Sequence, residues 1–229
     1  MTAALMFAAL LAAAQDPPAR VTIVLVGDST VTDKSGWGVG FARTLLAPAE
    51  CVNLSLGGRS SKSYRDEGHW TKALAAKGDY VLLQFGHNDC PGKGPERETD
   101  PDTTFYANMA RYIDEARAGG AQVVLVTSLV RRNFDPGGQI RPDDLVRYAA
   151  AVRRLATGKQ APLIDLLTLS TALANRMGPR ECDSFGPVDA GGKVDHTHLN
   201  EAGSQAIGAI VARELAAAVP ALARYIRHE

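Results

Sequence analysis

The amino-acid sequence predicts an α/β fold, one parallel β-sheet with helices on both faces, in a single domain. Residues 21–26, Val-Thr-Ile-Val-Leu-Val, form a continuous β-branched and aliphatic run that stops at Gly27, as a strand covered on both faces does. Similar short runs recur at residues 51–54, 80–85, 122–127 and 162–164, and segments with helical spacing lie between them. Strand alternating with helix in this way builds a parallel sheet.

Taken in order, the first strand ends in Gly27-Asp28-Ser29-Thr30. A serine on a glycine-permitted turn at a strand end presents its hydroxyl to a ligand while backbone N–H groups point the same way. The alternative is that Asp28 and Ser29 only cap the segment that follows. Phe41, Leu45 and Leu46 share a helical face and predict the first helix. The second strand runs into Asn53-Leu-Ser-Leu-Gly-Gly-Arg-Ser-Ser61, where paired glycines let N–H groups turn into an anion-accepting concavity. An ordinary turn with Arg59 in solvent is the plainer reading of that string alone. The third strand leads to Gln84-Phe-Gly-His-Asn-Asp89, in which Asn88 offers a side-chain amide donor and His87 and Asp89 serve either a ligand or the loop.

Phe105, Met109, Tyr112, Ile113 and Ala116 then predict a helix, as do Leu145, Tyr148, Val152 and Leu155. Asn200 is expected to cap a last helix carrying Ile207, Ile210, Val211 and Leu215. Just before it stands Lys193-Val-Asp-His-Thr-His-Leu-Asn200. Asp195 and His198, three apart, can lie side by side so that the carboxylate fixes the imidazole tautomer and stabilises its protonated form, with His196 as a competitor. Asp-His-x-His also suits zinc, but no further His or Cys cluster completes a site, and His69 and His87 would have to be recruited singly, so no metal is expected. The irregular segments 89–101, 131–142 and 178–193 are rich in Gly, Pro and charge. Two of them follow strands, and in an open α/β sheet ligands sit beyond the carboxyl ends of the strands, where the strand order reverses.

Composition narrows the function. The 229 residues carry 25 Lys and Arg against 25 Asp and Glu, so there is no basic excess to hold nucleic acid. Residues 3–14 are an unbroken apolar run, too short for a bilayer span of about 20 residues but fitting the core of a secretory signal cleaved after Ala14. Residues 1–14 are therefore expected to be a signal peptide and residues 15–229 the exported domain, periplasmic or extracellular, with no membrane span. No Lys or Arg precedes the run, which leaves an apolar N-terminal helix as the alternative. The three cysteines show no CxxC spacing; Cys51 opens a strand-like run, leaving Cys90 and Cys182 as the pair able to oxidise. No heptad or large apolar stripe asks for a partner copy, so a monomer is the default.

The order Gly-Asp-Ser, Gly, Gly-x-Asn-Asp and Asp-x-x-His, spanning residues 27–198, resembles the four sequence blocks of the SGNH (GDSL-like) hydrolases. The resemblance implies a flavodoxin-like three-layer α/β/α sandwich around a five-stranded parallel sheet. It implies Ser29 as nucleophile, His198 and Asp195 as base and orienter, and Ser29, Gly58 and Asn88 as oxyanion-hole donors, with Gly57 as the other glycine in reach. The family name carries leucine after the serine, where this chain has Thr30. The strings Gly-Asp-Ser-Thr-Val, Gly-Gly-Arg-Ser-Ser-Lys-Ser-Tyr, Gln-Phe-Gly-His-Asn-Asp and Asp-His-Thr-His resemble the rhamnogalacturonan acetylesterase branch.

That branch implies an esterase that needs no cofactor and acts on acetylated polysaccharide, rhamnogalacturonan or pectin. The alternatives are an esterase, lipase or thioesterase on another acyl substrate, acetylxylan included, or a module that binds carbohydrate or anion without turnover. Polar and aromatic residues of the strand-end loops suit a sugar, and Arg131, Arg132 and Asn133 are among them. Arg59, Trp70 and His87 are expected to touch it, with a locally basic mouth for uronate carboxylates.

Overall fold

The computed structural model describes residues 19–227, so the apolar run at 3–14 lies outside the described residues. The five apolar runs become β1 (Val21–Gly27), β2 (Ala49–Asn53), β3 (Tyr80–Gln84), β4 (Gln122–Val126) and β5 (Leu163–Ile164). All are parallel, in the order β2-β1-β3-β4-β5. Leu25 of β1 stands opposite Asn53 of β2, and Gly27 opposite Gln84 of β3. The chain therefore switches sides at β1, which opens a crevice beyond its carboxyl end.

The helices are α1 (Gly38–Ala42), α2 (Ser63–Asp66), α3 (His69–Ala75), α4 (Thr104–Ala118), α5 (Leu145–Gly158), α6 (Leu166–Met177), α7 (Pro179–Cys182) and α8 (Glu201–Ala218). Side chains alternate across β1, as the two-residue period of a strand requires. Ile23 and Leu25 pack with Trp37, Phe41, Ile207, Val211 and Leu215 of the α1–α8 layer. Val24 and Val26 pack with Tyr64, Phe105, Met109, Tyr112 and Tyr148 of the opposite layer. The expected three-layer α/β/α sandwich results. Among the described residues no helix is long and apolar enough to cross a membrane.

Two details depart from expectation, and a third, the state of Cys90 and Cys182, was open in the sequence. Leu45 and Leu46 fall outside α1: the Thr44 hydroxyl donates to the Phe41 carbonyl at 2.7 Å as the helix ends, and Leu45 instead forms an antiparallel bridge with Ile226. Helices α2, α3, α6 and α7 occupy stretches where no helix is expected from periodicity. Cys90 and Cys182 are buried free thiols, donating to the carbonyls of Gly86 at 3.2 Å and Ala174 at 3.7 Å. Burial pushes the Cys90 thiol up to about 11.

The contact that fixes α8 is made by glycines. The Gly40 N–H donates to the Ser204 hydroxyl at 3.2 Å, and a β-carbon at Gly40 would stand 1.9 Å from the Ser204 carbonyl oxygen. A β-carbon at Gly208 would stand 2.3 Å from the Phe41 nitrogen. Asn200 caps α8 as expected, accepting from the Gly203 N–H at 3.0 Å while its amide donates to the carbonyls of Ser184 at 2.8 Å and Gly186 at 3.0 Å.

Gly208→Ala tests this crossing. In an open helix that change stabilises by about 1 kcal/mol. Here the backbone contact should reverse the sign, costing about 3 kcal/mol and lowering Tm by roughly 6–12 °C in calorimetry.

Candidate active site

Ser29 stands two residues past the end of β1 on a turn whose backbone is held from several directions. Its carbonyl accepts from the hydroxyls of Thr32 at 2.8 Å and Ser35 at 3.1 Å, while the Val31 N–H reaches back to the Asp28 carbonyl at 3.1 Å. Beneath it runs a buried polar chain. The Trp37 indole donates to Gln84 at 3.0 Å, the Gln84 amide to the Thr30 hydroxyl at 2.7 Å, and that hydroxyl to Asp28 Oδ1 at 2.8 Å. Thr30, fully buried, is thus a polar link at the position where the family name has leucine.

Burial alone would push the Asp28 carboxyl up, but the nearby His87 ring and the two donors of Thr30 outweigh it and hold Asp28 below its ordinary value. His87 Nδ1 lies 3.5 Å from Asp28 Oδ2, and these two atoms and His87 Nε2 make no hydrogen bond among the described residues.

The second wall is the glycine pair after β2. The Leu56 N–H donates to the Gly27 carbonyl at 3.0 Å, which draws this loop alongside the Ser29 turn. A β-carbon at Gly57 would come 3.6 Å from Ser29 Cβ, and Gly58 has φ of +77°, a conformation natural to glycine. The third wall is Asn88, whose amide donates one N–H to the Arg59 carbonyl at 3.1 Å and keeps the other. Asp89 ties these two loops together, accepting from Ser61 N–H at 3.1 Å, Ser61 hydroxyl at 2.6 Å and Thr99 hydroxyl at 2.8 Å. Its complete burial pushes it up to about 7 despite those donors.

The last strip brings Asp195 and His198 to the serine. His198 Nε2 lies 2.9 Å from Ser29 Oγ, and His198 Nδ1 lies 2.7 Å from Asp195 Oδ2. The other carboxylate oxygen accepts the backbone N–H groups of Thr197 at 2.7 Å and His198 at 3.0 Å. Burial would raise Asp195, but those two N–H groups and the imidazole outweigh it and hold the carboxyl down at about 2. The competitor His196 turns away and pairs with Asp183 at 3.2 Å. Among the described residues no three of His, Cys, Asp or Glu are grouped to hold a metal ion. The arrangement can pass a proton from a hydroxyl to an imidazole while an ionised carboxylate steadies the ring.

Of the residues expected to touch a sugar, Arg59 alone stands beside the site. Its guanidinium donates to Glu67 at 2.9 Å and to the Gly57 carbonyl at 2.9 Å. Trp70 must be corrected: it is buried against Tyr112, and its indole donates to Glu115 at 2.6 Å. His87 must be corrected too, because it lies buried below the serine and facing Asp28. Arg131 reaches Asp143 at 2.7 Å, and Arg132 is buried behind the Asp195–His198 strip. No feature of the sequence separates Arg132, a buried anchor, from its neighbour Arg131.

The low value of Asp195 predicts a pH-dependent stability. An unfolded aspartate titrates near 3.9, so the folded carboxylate stabilises fully above that value and loses its contribution as pH falls toward about 2. The Tm difference between wild type and Asp195→Asn should shrink from pH 5 to pH 2. A difference that stays constant over that window would show that the ionised carboxylate is not the stabilised form.

Residues 12–206 match the GDSL-like Lipase/Acylhydrolase family. The chain is 35% identical over 210 residues to rhamnogalacturonan acetylesterase RhgT of Bacillus subtilis (strain 168), covering 84% of this chain and 88% of that protein. It is 30% identical over 214 residues to rhamnogalacturonan acetylesterase of Emericella nidulans, covering 81% of each. Among solved structures, protein YXIM from Bacillus subtilis superimposes with a TM-score of 0.73 at 29% identity, over 87% of this chain and 57% of that one. With its four sequence blocks gathered at the carboxyl ends of β1, β2 and β3 and before α8, the chain belongs to the GDSL-like lipase/acylhydrolase family.

Proposed function

We propose that this chain is a carbohydrate acetylesterase that removes acetyl groups from acetylated rhamnogalacturonan or a related pectin through an acetyl-serine intermediate. The observation that carries the reading is the hydrogen-bonded line from Ser29 Oγ to His198 at 2.9 Å and on to Asp195 at 2.7 Å. His198 takes the Ser29 proton as the hydroxyl attacks the acetyl carbonyl, and Asp195 stabilises the imidazolium that forms. The oxyanion is met by the N–H groups of Ser29 and Gly58 and by the free amide N–H of Asn88. The same imidazole returns its proton to the leaving sugar alcohol, then activates the water that releases acetate.

The substrate class rests on the relatives, two of which carry the name rhamnogalacturonan acetylesterase. The site's surroundings agree with it. His198 is 32% exposed, so the imidazole is open to a polymer, and the Arg59 guanidinium holds the carbonyl of Gly57, the glycine next to Ser29. Under this reading residues 1–14 export the enzyme to its polymeric substrate, and N-terminal sequencing of protein recovered from outside the cytoplasm should begin near Gln15.

Acetate release from acetylated pectin, acetylated xylan and long-chain acyl esters tests the proposal. Pectin should be preferred, Ser29→Ala should abolish turnover, and Asn88→Ala should lose about 10²–10³-fold in kcat while remaining folded. Activity should survive a chelator. Predominant long-chain hydrolysis would overturn the acetylesterase reading, and failure of Ser29 to react with an organophosphate would overturn the esterase reading altogether.

A further inference from the structure

Arg132, in the loop after β4, is 4% exposed and takes part in no ion pair with a carboxylate among the described residues. Its Nη2 donates to the carbonyl of Asp195 at 2.8 Å and to the carbonyl of His198 at 2.7 Å. Its own backbone N–H donates to the carbonyl of His196 at 2.8 Å. One residue thus holds three of the four carbonyls in the strip that carries the carboxylate and the imidazole. Nε and Nη1 remain buried without hydrogen-bond partners among the described residues. A β-carbon at Gly186 would stand 2.3 Å from the Asp195 carbonyl oxygen and 3.2 Å from Nη2, so a glycine leaves room for the bond between them.

An arginine stays charged when buried, and its planar fork offers donors in a fixed geometry that lysine lacks. Burying such a cation without a counter-ion is costly and would be avoided by an apolar side chain of the same size. The strip's other backbone tethers lie at its ends, from Asp195 N–H to Pro187 at 2.8 Å and from Leu199 N–H to Ser35 at 2.9 Å, and the His196 side chain reaches Asp183 at 3.2 Å. They leave the carbonyls of Asp195 and His198 without donors once the guanidinium is gone.

We propose that Arg132 is a positioning residue for the chemistry at Ser29: it sets the distance of His198 from the serine by suspending the Asp195–His198 strip from the loop that follows the sheet. It touches neither Ser29 Oγ nor the imidazole. This inference rests on the esterase reading above. A displacement of about 1 Å at reacting groups costs on the order of 10²-fold in rate.

The test compares Arg132→Ala, Arg132→Met and Arg132→Lys with wild type and Ser29→Ala in acetate release and in the rate of fluorophosphonate labelling. Circular dichroism and Tm establish which variants are folded. Arg132→Ala and Arg132→Met should lose about 10²-fold in kcat with KM nearly unchanged. Guanidinium at non-denaturing concentration should restore a substantial part of the loss to Arg132→Ala and none to Ser29→Ala.

A folded Arg132→Met with wild-type kcat and labelling rate overturns the proposal, as does a loss confined to KM. So does a loss in Arg132→Ala that guanidinium does not relieve, which marks general collapse of the site. Should the alanine and methionine variants fail to fold, Arg132→Lys decides: reduced kcat at near-native Tm supports the proposal, and wild-type kcat refutes it. A wild type that releases no acetate yet labels at Ser29 would refute the substrate class alone. Slower labelling of the Arg132 variants would then still support the positioning role, and equal labelling would overturn it.

Discussion

The crossing of α1 over α8 is a contact of backbone against backbone, and the geometry at Ser29 depends on it. Ser29 and His198 are separated by 169 residues in sequence yet stand 2.9 Å apart, so the error in placing α8 must be small. Gly40 and Gly208 remove the side chains that would hold the helices apart, and the Ser204 hydroxyl fixes their relative height through the Gly40 N–H. The first turn of α8 begins at Glu201, immediately after the strip that carries the imidazole. The Asn200 cap and the Leu199–Ser35 bond then transmit that position to the serine turn. Each of these bonds contributes only about 1 kcal/mol. Their effect on geometry is larger because all of them join pieces already held by the sheet and the two helices.

Two of the arginines near the site are each matched by a carboxylate. Arg59 meets Glu67, which also receives His69 at 3.0 Å, and Arg131 meets Asp143. The pairs differ in depth. Arg59 and Glu67 are 39% and 41% exposed, where an ion pair contributes no more than about 1 kcal/mol, so a uronate carboxylate could replace Glu67 at small cost. Arg131 is more buried and also donates to the His87 carbonyl at 3.3 Å, which makes it part of the frame.

Residue patterns revealed the sheet because buried parallel strands are written as uninterrupted apolar runs, and all five runs became strands. They revealed α4, α5 and α8 because each buries one face at the helical period. Helices α2 and α7 are single turns and α3 is scarcely two, too short for a period to show, while α6 mixes apolar and small residues along its length. The meeting of Ser29, Asp195 and His198 was legible because a strand end and a helix cap constrain where those residues can go. The places of Trp70 and His87 were not legible, because proximity in sequence to a glycine loop says nothing of which way a side chain turns. Both point inward, Trp70 to Glu115 and His87 to Asp28, and only the packed layers decide that.

Three carboxylates near the serine are not all shifted the same way, and depth of burial does not decide the direction. Asp28 and Asp89 are both fully buried, yet one is held below its ordinary value and the other is pushed up to about 7. The difference lies in what faces them. Asp28 has an imidazole at 3.5 Å, whereas Asp89 has only neutral hydroxyls and an N–H as donors, with the negative Asp28 as its charged neighbour. Asp195 is the most exposed and is held down at about 2, because two backbone N–H groups and an imidazole all favour its ionised form. The Asp195 carboxylate is thus kept ionised by donors that belong to its own segment, so any displacement moves carboxylate and ring together. What such a segment cannot secure from within is its distance to Ser29, and that distance is left to groups outside it: the α8 frame, the Leu199–Ser35 bond and the guanidinium of Arg132.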